Sequence, residues 1–436
     1  MLECYGESDK RSTGACPCEK MKKQIKLIAA GVGSRFGVYA SYARRHPDEV
    51  SFVGFADANE ERLRLHAEEF SVPAENCFSD AKELFNAGIE ADGAVICTMD
   101  SMHYENAMDA MKNGYDVLLE KPLALSEEHC LELRDTAIET GRKLMLCHVL
   151  RYSPFFTKIK DIIDSGIIGD ICTVQAMERV EYWHMAHAFV RGNWGNSKRS
   201  CPMILAKSCH DTDALLWLCG KRCKRVSSFG SLKHFKAENQ PEGASDRCLD
   251  CKYGDSCPYS AQNNYIKRVE EGYTGWPVDV VMRDATVEGI TEVLKTSDYG
   301  KCVYKCDNDV VDHQVVNMWL EDDIAISFTM SSFNTKHGRT IRVLGTRGDI
   351  DADMSEAKIE LSVFGKEKEV IDLSDSMSDS AHGGGDDRLF ADFLSLLRGD
   401  ATNSKSQTPI SHTADGYLVC FAAEKSRLNG GAVVEL

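Results

Sequence analysis

The chain has 436 residues, of which 43% are hydrophobic and 27% are charged, and its formal net charge is -17. This length exceeds what a single hydrophobic core usually supports, so we expect two domains. The negative charge repels the phosphates of nucleic acids and the surface of anionic lipids, and no basic stretch with interleaved aromatic residues offsets it. Nucleic acid is therefore excluded as a partner.

No apolar stretch reaches the roughly 18 residues needed to cross a bilayer. Met1 to Lys20 also lacks the apolar core of a secretion signal, so we expect a cytoplasmic protein without a membrane partner. Its 18 cysteines are then expected to be reduced thiols rather than disulfides. Residues 1–23 are polar and without periodicity, which predicts a loose tail.

Residues 24–149 alternate short apolar runs with helix-like stretches. The runs are Ile25–Ala30, Val53–Ala56, Ala94–Cys97, Asp116–Leu119 and Leu144–Cys147. This alternation predicts right-handed βαβ units in a doubly wound parallel sheet, the Rossmann arrangement.

Residues 150–436 contain strands whose polar and apolar residues alternate. Ile324, Ile326, Phe328 and Met330, for example, are separated by small or polar residues. The alternation of apolar and polar residues at every second position predicts an α+β domain with a large, open, mostly antiparallel sheet. A polar, cysteine-rich stretch at about 236–260 is predicted to be an insertion in this domain.

A glycine-rich turn follows the first strand directly, with the sequence Gly31-Val32-Gly33-Ser34-Arg35-Phe36-Gly37. Such glycines permit a tight turn and let the N-terminus of a helix approach a pyrophosphate. We therefore predict that Gly31, Gly33, Ser34, Arg35 and Phe36 contact a dinucleotide. Phe36 occupies the place of the usual third glycine, so an ordinary strand-to-helix turn is the alternative.

Asp57 ends the second strand, where an acid can accept hydrogen bonds from ribose hydroxyls and repel a 2′-phosphate. This predicts NAD rather than NADP, although Asp57 could equally cap the next helix. Thr98 and His103 follow the strand Ala94–Cys97, at the edge where such sheets bind ligands. We predict that both contact the cofactor, with a surface position as the alternative for His103.

The tripeptide Glu120-Lys121-Pro122 follows the buried run Val117–Leu119 at the same edge. A charge in such a place is costly, and the Lys121 amine could reach both a nicotinamide ring and a substrate hydroxyl. We predict that Lys121 is catalytic and that Glu120 and Lys121 contact the cofactor. A surface pair of Glu120 with Lys121 is the alternative.

A second candidate lies between Lys207 and Asp213, which we expect to open a helix. Lys207, His210 and Asp211 share one face by their spacing, and a histidine flanked by an acid suits a general base. We predict that His210 and Lys207 are catalytic and bind substrate. A purely structural histidine is the alternative.

Several of these motifs in this order resemble the glucose-fructose oxidoreductase, inositol dehydrogenase and rhizopine-catabolism family, written Gfo/Idh/MocA. They are Gly31-Val32-Gly33, Asp57, Glu120-Lys121-Pro122, the His210-Asp211-x-Asp213 helix and Arg342-x-x-Gly345-Thr346-x-Gly348. The resemblance runs from about Ile25 to the C-terminus. It implies a Rossmann domain, a larger α/β domain whose open sheet makes oligomer contacts, and NAD(P)-linked redox chemistry on sugars or polyols.

The resemblance also implies catalytic roles for Lys121 and His210, and a homo-oligomer, dimer or tetramer. Inositol dehydrogenase-like members carry an aspartate four residues before the histidine, where this chain has Ala206. Lys207 could supply the missing polar contact, or the substrate could differ from inositol.

The polar and aromatic string from Tyr182 to Trp194 fits a carbohydrate site, with rings to stack on a sugar and donors for its hydroxyls. An exposed edge loop is the alternative. The predicted substrate-binding residues are Tyr152, His184, His187, Arg191, Trp194, Lys207 and His210.

Three thiols in the insertion, Cys248, Cys251 and Cys257, have the pair spacing of a structural zinc site but lack a fourth ligand. Cys201, Cys209, Cys223 or His234 could complete it. A loop of free thiols and an iron–sulfur cluster are alternatives.

The leading prediction is an NAD-dependent oxidoreductase acting on a sugar, glycoside or polyol. One alternative is an NAD-dependent glycosidase that works by transient oxidation, elimination and re-reduction. A nucleotide-sensing regulator without turnover is a third possibility, because fold does not fix function.

Overall fold

The computed structural model of the chain describes residues 23–377, 383–400 and 404–436. The predicted polar tail at 1–23 lies outside these ranges except for its last residue. Within the described ranges, no helix has the length and apolar character needed to span a bilayer.

The first half of the chain alternates strands and helices. Its strands are β1 (Ile25–Ala30), β2 (Val50–Ala56), β3 (Cys77–Phe78), β4 (Gly93–Ile96), β5 (Asp116–Leu119) and β6 (Leu144–Leu146). Its helices are α1 (Ser34–Arg45), α2 (Glu60–Phe70), α3 (Ala81–Asn86), α4 (His103–Lys112) and α5 (Glu127–Thr140). All strand pairs are parallel, in the order β3-β2-β1-β4-β5-β6. The predicted Rossmann sheet is confirmed, and its strand order reverses between β1 and β4, where such sheets bind ligands.

Local signals set the ends of these helices. The Asn59 side chain accepts a hydrogen bond from the Arg62 amide at the start of α2, and Ser126 accepts one from the His129 amide at the start of α5. Helix α5 ends at Gly141, whose φ of 64° is left-handed. The central strand β4 is buried along its whole length, as expected for a parallel sheet covered on both faces.

The second half is built on a larger sheet. Its strands are β7 (Ile171–Glu181), β8 (Cys223–Ser231), β9 (His313–Leu320), β10 (Ala325–Asn334), β11 (Gly338–Gly345), β12 (Gly348–Asp353), β13 (Lys358–Val363), β14 (Glu369–Asp372) and β15 (Val434–Glu435). The nine strands lie in the order β14-β13-β12-β11-β7-β10-β9-β8-β15, and only the β7–β10 pair is parallel. The predicted mostly antiparallel sheet is confirmed.

Helices cover one face of this sheet and fill the connections. They are α6 (Pro154–Asp164), α7 (Tyr182–His184), α8 (Met203–Ala206), α9 (Cys209–Cys219), α10 (Lys267–Glu270), α11 (Val278–Val281), α12 (Val287–Thr296), α13 (Gly385–Arg398) and α14 (Ile410–Leu428). A π-helical segment, Met185–Arg191, continues α7.

Helix α13 follows the large sheet in sequence but packs on the first half of the chain. Its residues Leu389, Phe390 and Phe393 are buried in one core with Tyr39 of α1 and Ile25 of β1. The predicted domain boundary between residues 149 and 150 stays a prediction, and these contacts show that the chain crosses back over it.

Candidate active site

The glycine-rich turn leaves room for a dinucleotide at the start of α1. Gly31 has a φ of 80°, and a Cβ there would lie 2.6 Å from the carbonyl carbon of Cys97, so only glycine fits. Helix α1 begins at Ser34 with Gly33 as its N-cap, and no side chain among the described residues caps it. Its first amides therefore have neither intrahelical partners nor a capping side chain, as a pyrophosphate site requires.

Asp57 supports this turn from the end of β2. Its carboxylate accepts a hydrogen bond from the Val32 amide at 2.9 Å and another from the Asn59 amide at 2.8 Å. The cap of α2 is Asn59 rather than Asp57, so the cap alternative is wrong. Each carboxylate oxygen keeps a second lone pair that could accept a ribose hydroxyl.

Replacing Asp57 by serine should shift the cofactor preference. Arg62 lies 3.4 Å from the Asp57 carboxylate with a half-exposed side chain, so loss of the acid would remove a repulsive charge and release a guanidinium for a 2′-phosphate. We expect the ratio of NADP to NAD affinity to rise about tenfold or more. Titration of the purified Asp57→Ser variant with each dinucleotide measures this affinity ratio. Glu60→Ser, an exposed acid of α2, is the control. An unchanged ratio would remove Asp57 from cofactor selection.

Arg35 and Glu120 contact each other. Arg35 Nε donates to Glu120 Oε1 at 2.7 Å, and the Tyr39 hydroxyl donates to the same oxygen at 2.7 Å. Burial alone would raise the pKa of the Glu120 carboxyl, but Arg35 and Tyr39 outweigh it, so this pKa lies below its usual range. The alternative of a surface pair between Glu120 and Lys121 is wrong, because Glu120 is buried. This ion pair joins the glycine turn to the strand end that carries Lys121.

Phe36 does not face a cofactor with its side chain. The ring is fully buried and packs edge to face against Phe52 and Phe55, with centroid distances of 4.9 and 5.5 Å. Any contact of Phe36 with the cofactor would therefore be made by its backbone, because the third residue of α1 points its side chain toward the sheet.

His103 connects the two loops at this edge. Its Nε2 lies 3.0 Å from the Thr98 carbonyl oxygen and its Nδ1 lies 2.6 Å from the Pro122 carbonyl oxygen. The surface alternative for His103 is wrong, since the side chain is buried. His103 is therefore placed to fix the loop after β4 against the segment that carries Lys121.

Lys121 reaches from the first half of the chain to the second. Its Nζ donates to the Ala206 carbonyl oxygen at 2.8 Å and lies 5.8 Å from the ring centre of Trp194. The Trp194 indole in turn donates to Asp100 at 2.8 Å, just beyond β4. The amine thus lies where the dinucleotide edge of the parallel sheet meets the larger domain.

Four buried charges form a cluster beside α8 and α9. Lys207 Nζ lies 3.2 Å from Glu178 Oε1, Arg339 Nη2 lies 2.8 Å from Glu178 Oε2, and Arg339 Nε donates to Asp211 Oδ1 at 2.6 Å. We call Glu178, Lys207, Asp211 and Arg339 the buried charge cluster. Burial lowers the pKa of the Lys207 amine, Glu178 opposes this, and the charges of Arg339 and Lys121 add to it.

Sequence reasoning missed Glu178 and Arg339. Glu178 shares the inward face of β7 with Val174 and Val180, and Arg339 pairs with it across β7 and β11. A charged residue at an inward position of an alternating strand was the available signal, since such a charge must find a partner.

His210 lies near the start of α9, which begins at Cys209. It is buried, and its ring centre is 5.5 Å from that of His148. Lys207 precedes α9 as the C-cap of α8, so the predicted common helical face is not formed. Asp211 accepts a hydrogen bond from Arg339 within the buried charge cluster.

Two family models match this chain. The model described as an oxidoreductase family with an NAD-binding Rossmann fold matches residues 25–148, and the model for the C-terminal alpha/beta domain of the same family matches residues 160–408. The chain belongs to the Gfo/Idh/MocA oxidoreductase family. The resemblance read from the motifs is confirmed, and the chain is an NAD-binding enzyme of this oxidoreductase type.

Individual relatives are distant. YteT of Bacillus subtilis (strain 168) is 22% identical over 400 residues, which cover 84% of this chain and 88% of YteT. Inositol 2-dehydrogenase 2 of Saccharopolyspora erythraea is 27% identical over 175 residues, covering 40% of this chain and 44% of that protein.

Solved structures share the Gfo/Idh/MocA fold. The WlbA dehydrogenase of Bordetella pertussis, in complex with NADH and UDP-GlcNAcA, superimposes with a TM-score of 0.64 at 16% identity over 95% of this chain and 99% of its own. An inositol dehydrogenase homolog of Azotobacter vinelandii complexed with NAD+ gives a TM-score of 0.66 at 15% identity, over 96% of this chain and 98% of its own. At these identities the comparison shows the fold alone.

His184 lies near the catalytic candidates of this Gfo/Idh/MocA chain. Its ring centre is 4.8 Å from that of Trp276, and the positive charges of Lys207 and Lys121 act on it. Burial first, and then these charges, hold the pKa of His184 well below its ordinary value. A neutral imidazole here could donate or accept a hydrogen bond with a substrate hydroxyl, so His184 stays a predicted substrate residue together with Trp194.

Three other predicted substrate residues have polar partners within the protein. The Tyr152 hydroxyl donates to Asp392 of α13 at 2.7 Å, inside the core of the first half. His187 Nδ1 lies 2.9 Å from the Tyr265 hydroxyl. Arg191 faces the cysteine-rich insertion. The predictions for Tyr152 and Arg191 are wrong, because Tyr152 is bonded within the core of the first half and Arg191 is bonded to the Lys301 and Tyr259 carbonyls. His187 stays a prediction, because its ring centre is 5.5 Å from that of Trp276, the ring that also contacts His184.

The thiols of the insertion are not arranged as a metal site. Within the part of the chain that the structure describes, no three His, Cys, Asp or Glu side chains form a group that could hold a metal ion as they stand. Cys248, Cys251 and Cys257 nevertheless line one cavity, and its fourth thiol is Cys302. Sequence reasoning missed Cys302, and the four completing ligands that it named (Cys201, Cys209, Cys223 and His234) do not line this cavity.

Proposed function

We propose that this chain is an NAD-dependent oxidoreductase that moves a hydride between the nicotinamide and a secondary hydroxyl of a sugar, glycoside or polyol. The observation that supports it best is the position of Lys121, whose amine is hydrogen-bonded to Ala206 between the glycine turn and the His210 helix. NAD, when bound, supplies the acceptor for the hydride. The rest of the reaction needs a group that takes the hydroxyl proton.

Lys121 and His210 are the groups proposed to take this proton. A lysine or histidine that accepts the hydroxyl proton while the carbon loses hydride lowers the barrier, because the product is then a neutral carbonyl rather than a protonated one. Gly31, Gly33 and Ser34 are proposed to hold the pyrophosphate, and Asp57 the ribose. Arg35 and Glu120 position the strand end, and Trp194 offers a ring face on which a sugar could stack.

The relatives support a carbohydrate alcohol as the substrate. The Saccharopolyspora erythraea homologue is named an inositol 2-dehydrogenase, and the WlbA structure contains UDP-GlcNAcA, a nucleotide sugar. This chain has Ala206 where inositol dehydrogenase-like members carry an aspartate, and its carbonyl is used by Lys121. We therefore propose a substrate other than free inositol.

A substrate panel tests the proposal. Free sugars, polyols and aryl glycosides are incubated with NAD, and both NADH absorbance and released phenol are followed. We expect NADH to accumulate with at least one alcohol. Phenol release without net NADH would instead establish the glycosidase alternative. Cofactor binding without either signal would favour the regulator.

We also propose that the chain acts in the cytoplasm as a homo-oligomer, formed through the outer face of the nine-stranded sheet. Phe229, Trp319 and Phe333 occupy outward positions of β8, β9 and β10, with 57%, 42% and 44% of their surface exposed. Large exposed apolar side chains on one face often mark an interface. Sedimentation of the purified chain measures the oligomer size.

A further inference from the structure

The cysteine-rich insertion and the segment before β9 enclose a cavity of about 230 Å³. Four thiols line it: Cys248, Cys251, Cys257 and Cys302. Lys121, Lys207 and His210 do not line it, so the proposed hydride transfer leaves these thiols without a role.

Backbone contacts bring the four cysteines to this cavity. Cys251 and Cys248 lie on one tight turn, in which the Cys251 amide donates to the Cys248 carbonyl at 3.2 Å. The Cys302 amide donates to the Asp246 carbonyl at 2.9 Å, which ties it to the segment entering that turn. The Cys257 amide donates to the Tyr253 carbonyl at 2.8 Å. Thiols far apart in sequence are thus held around one space by hydrogen-bonded backbone.

A buried cation, Arg191, lies against the same cavity. Its side chain is 4% exposed, its Nε donates to the Lys301 carbonyl at 2.7 Å, and its Nη2 donates to the Tyr259 carbonyl at 2.7 Å and lies 3.3 Å from Cys248 Sγ. Its Nη1 has no hydrogen-bond partner, and no carboxylate pairs with the guanidinium, within the described residues. A buried charge without a counter-charge is costly, so a negative group is expected here.

We propose that Cys248, Cys251, Cys257 and Cys302 bind one structural Zn²⁺ ion, and that Arg191 balances part of the charge of the resulting site. Four thiolates around Zn²⁺ carry two net negative charges, one of which the guanidinium offsets. On binding, each thiol loses its proton to solvent as its bond to zinc forms, without oxidation or reduction. Because the thiols do not yet form a metal-holding group, they must rotate into the cavity to reach about 2.3 Å from the ion.

The zinc content of the purified full chain tests this proposal. We expect one zinc per chain by elemental analysis, and little in the Cys302→Ser variant. Cys172→Ser, an exposed cysteine of β7 outside the cavity, is the matched control and should keep its zinc. Arg191→Leu should lower the affinity for zinc about tenfold or more, because groups that contact a metal's ligands commonly contribute that much to metal affinity.

A measurement on the unmodified chain covers the case in which a variant fails to fold. The chain is unfolded with chelator, refolded with Co²⁺ and examined for the intense visible bands of a tetrahedral thiolate site. Such bands, removed by one equivalent of zinc, support the proposal. Three results would each overturn the zinc proposal. They are a folded chain without zinc or tetrahedral cobalt bands, zinc retained by Cys302→Ser, and the visible absorption of an iron–sulfur cluster. None of these readouts requires catalytic activity.

Discussion

Lys121→Ala is expected to reduce turnover by about 10²- to 10⁴-fold while leaving NAD binding close to that of the unmodified chain. The amine contacts Ala206 and the face of Trp194, rather than the glycine turn or Asp57 that would hold the dinucleotide. Its removal therefore takes away the proposed proton acceptor without disturbing the pyrophosphate and ribose contacts. Steady-state kinetics with the best alcohol from the panel and a separate titration with NAD measure the two effects.

Lys121→Arg distinguishes proton transfer from simple charge. Arginine keeps the positive charge but does not lose its proton in proteins, so it can donate hydrogen bonds without acting as a base. We expect Lys121→Arg to be nearly as slow as Lys121→Ala. Lys82→Ala, an exposed lysine of α3, is the control for lysine removal. Full turnover in Lys121→Ala would exclude Lys121 from the chemistry, and high turnover in Lys121→Arg would limit its role to electrostatics.

The dinucleotide half of the fold could be predicted because its signals are local. Each apolar run of the first half is one strand, the glycine turn follows β1 directly, and Asp57 follows β2 directly. In a parallel sheet the ends of neighbouring strands meet at one edge, so position in sequence fixes position at the site. The same reasoning placed Lys121 and His103 at that edge.

The substrate side could not be predicted to the same extent because its contacts join distant residues. Glu178 meets Arg339 through strand pairing between β7 and β11, 161 positions apart, and no local pattern specifies that pairing. The predictions for Tyr152 and Arg191 failed for the same reason. Tyr152 is bonded to Asp392 on a helix that returns from the C-terminal part of the chain, and Arg191 is bonded to an insertion. Polar residues close to a site in sequence need not lie in the site, because tertiary packing gives some of them other partners.

Arg339→Leu is expected to lower the free energy of unfolding by about 3–5 kcal/mol, because it leaves buried carboxylates without their main counter-charge. Glu178 is fully buried and Asp211 nearly so, and only Lys207 of the buried charge cluster would remain positive. Urea unfolding of the purified variant measures the loss. Arg342→Leu, on the same strand with a half-exposed side chain and ion-pair distances of 3.9 and 4.0 Å, is the matched control and should change stability by less than about 0.5 kcal/mol.

The pH dependence of the Arg339→Leu variant separates lost charge balance from lost packing. In the unmodified chain burial raises the pKa of the Asp211 carboxyl, Arg339 opposes this, and Glu178 adds to it, so the pKa is about 6. An acid whose folded pKa exceeds its unfolded value binds more protons when folded, so the contribution of Asp211 to stability falls as pH rises from about 4 to 6. Without Arg339 the pKa of Asp211 should rise further, and the pKa of Glu178, which Arg339 and Lys207 hold below its usual value against the effect of burial, should rise as well. Both changes extend the fall in stability to higher pH. The variant should therefore recover part of its stability on acidification toward pH 5, and Glu178→Gln added to Arg339→Leu should recover part of it at pH 7. A loss of unfolding free energy that is equal at all pH values would instead show that the effect comes from the missing side-chain volume.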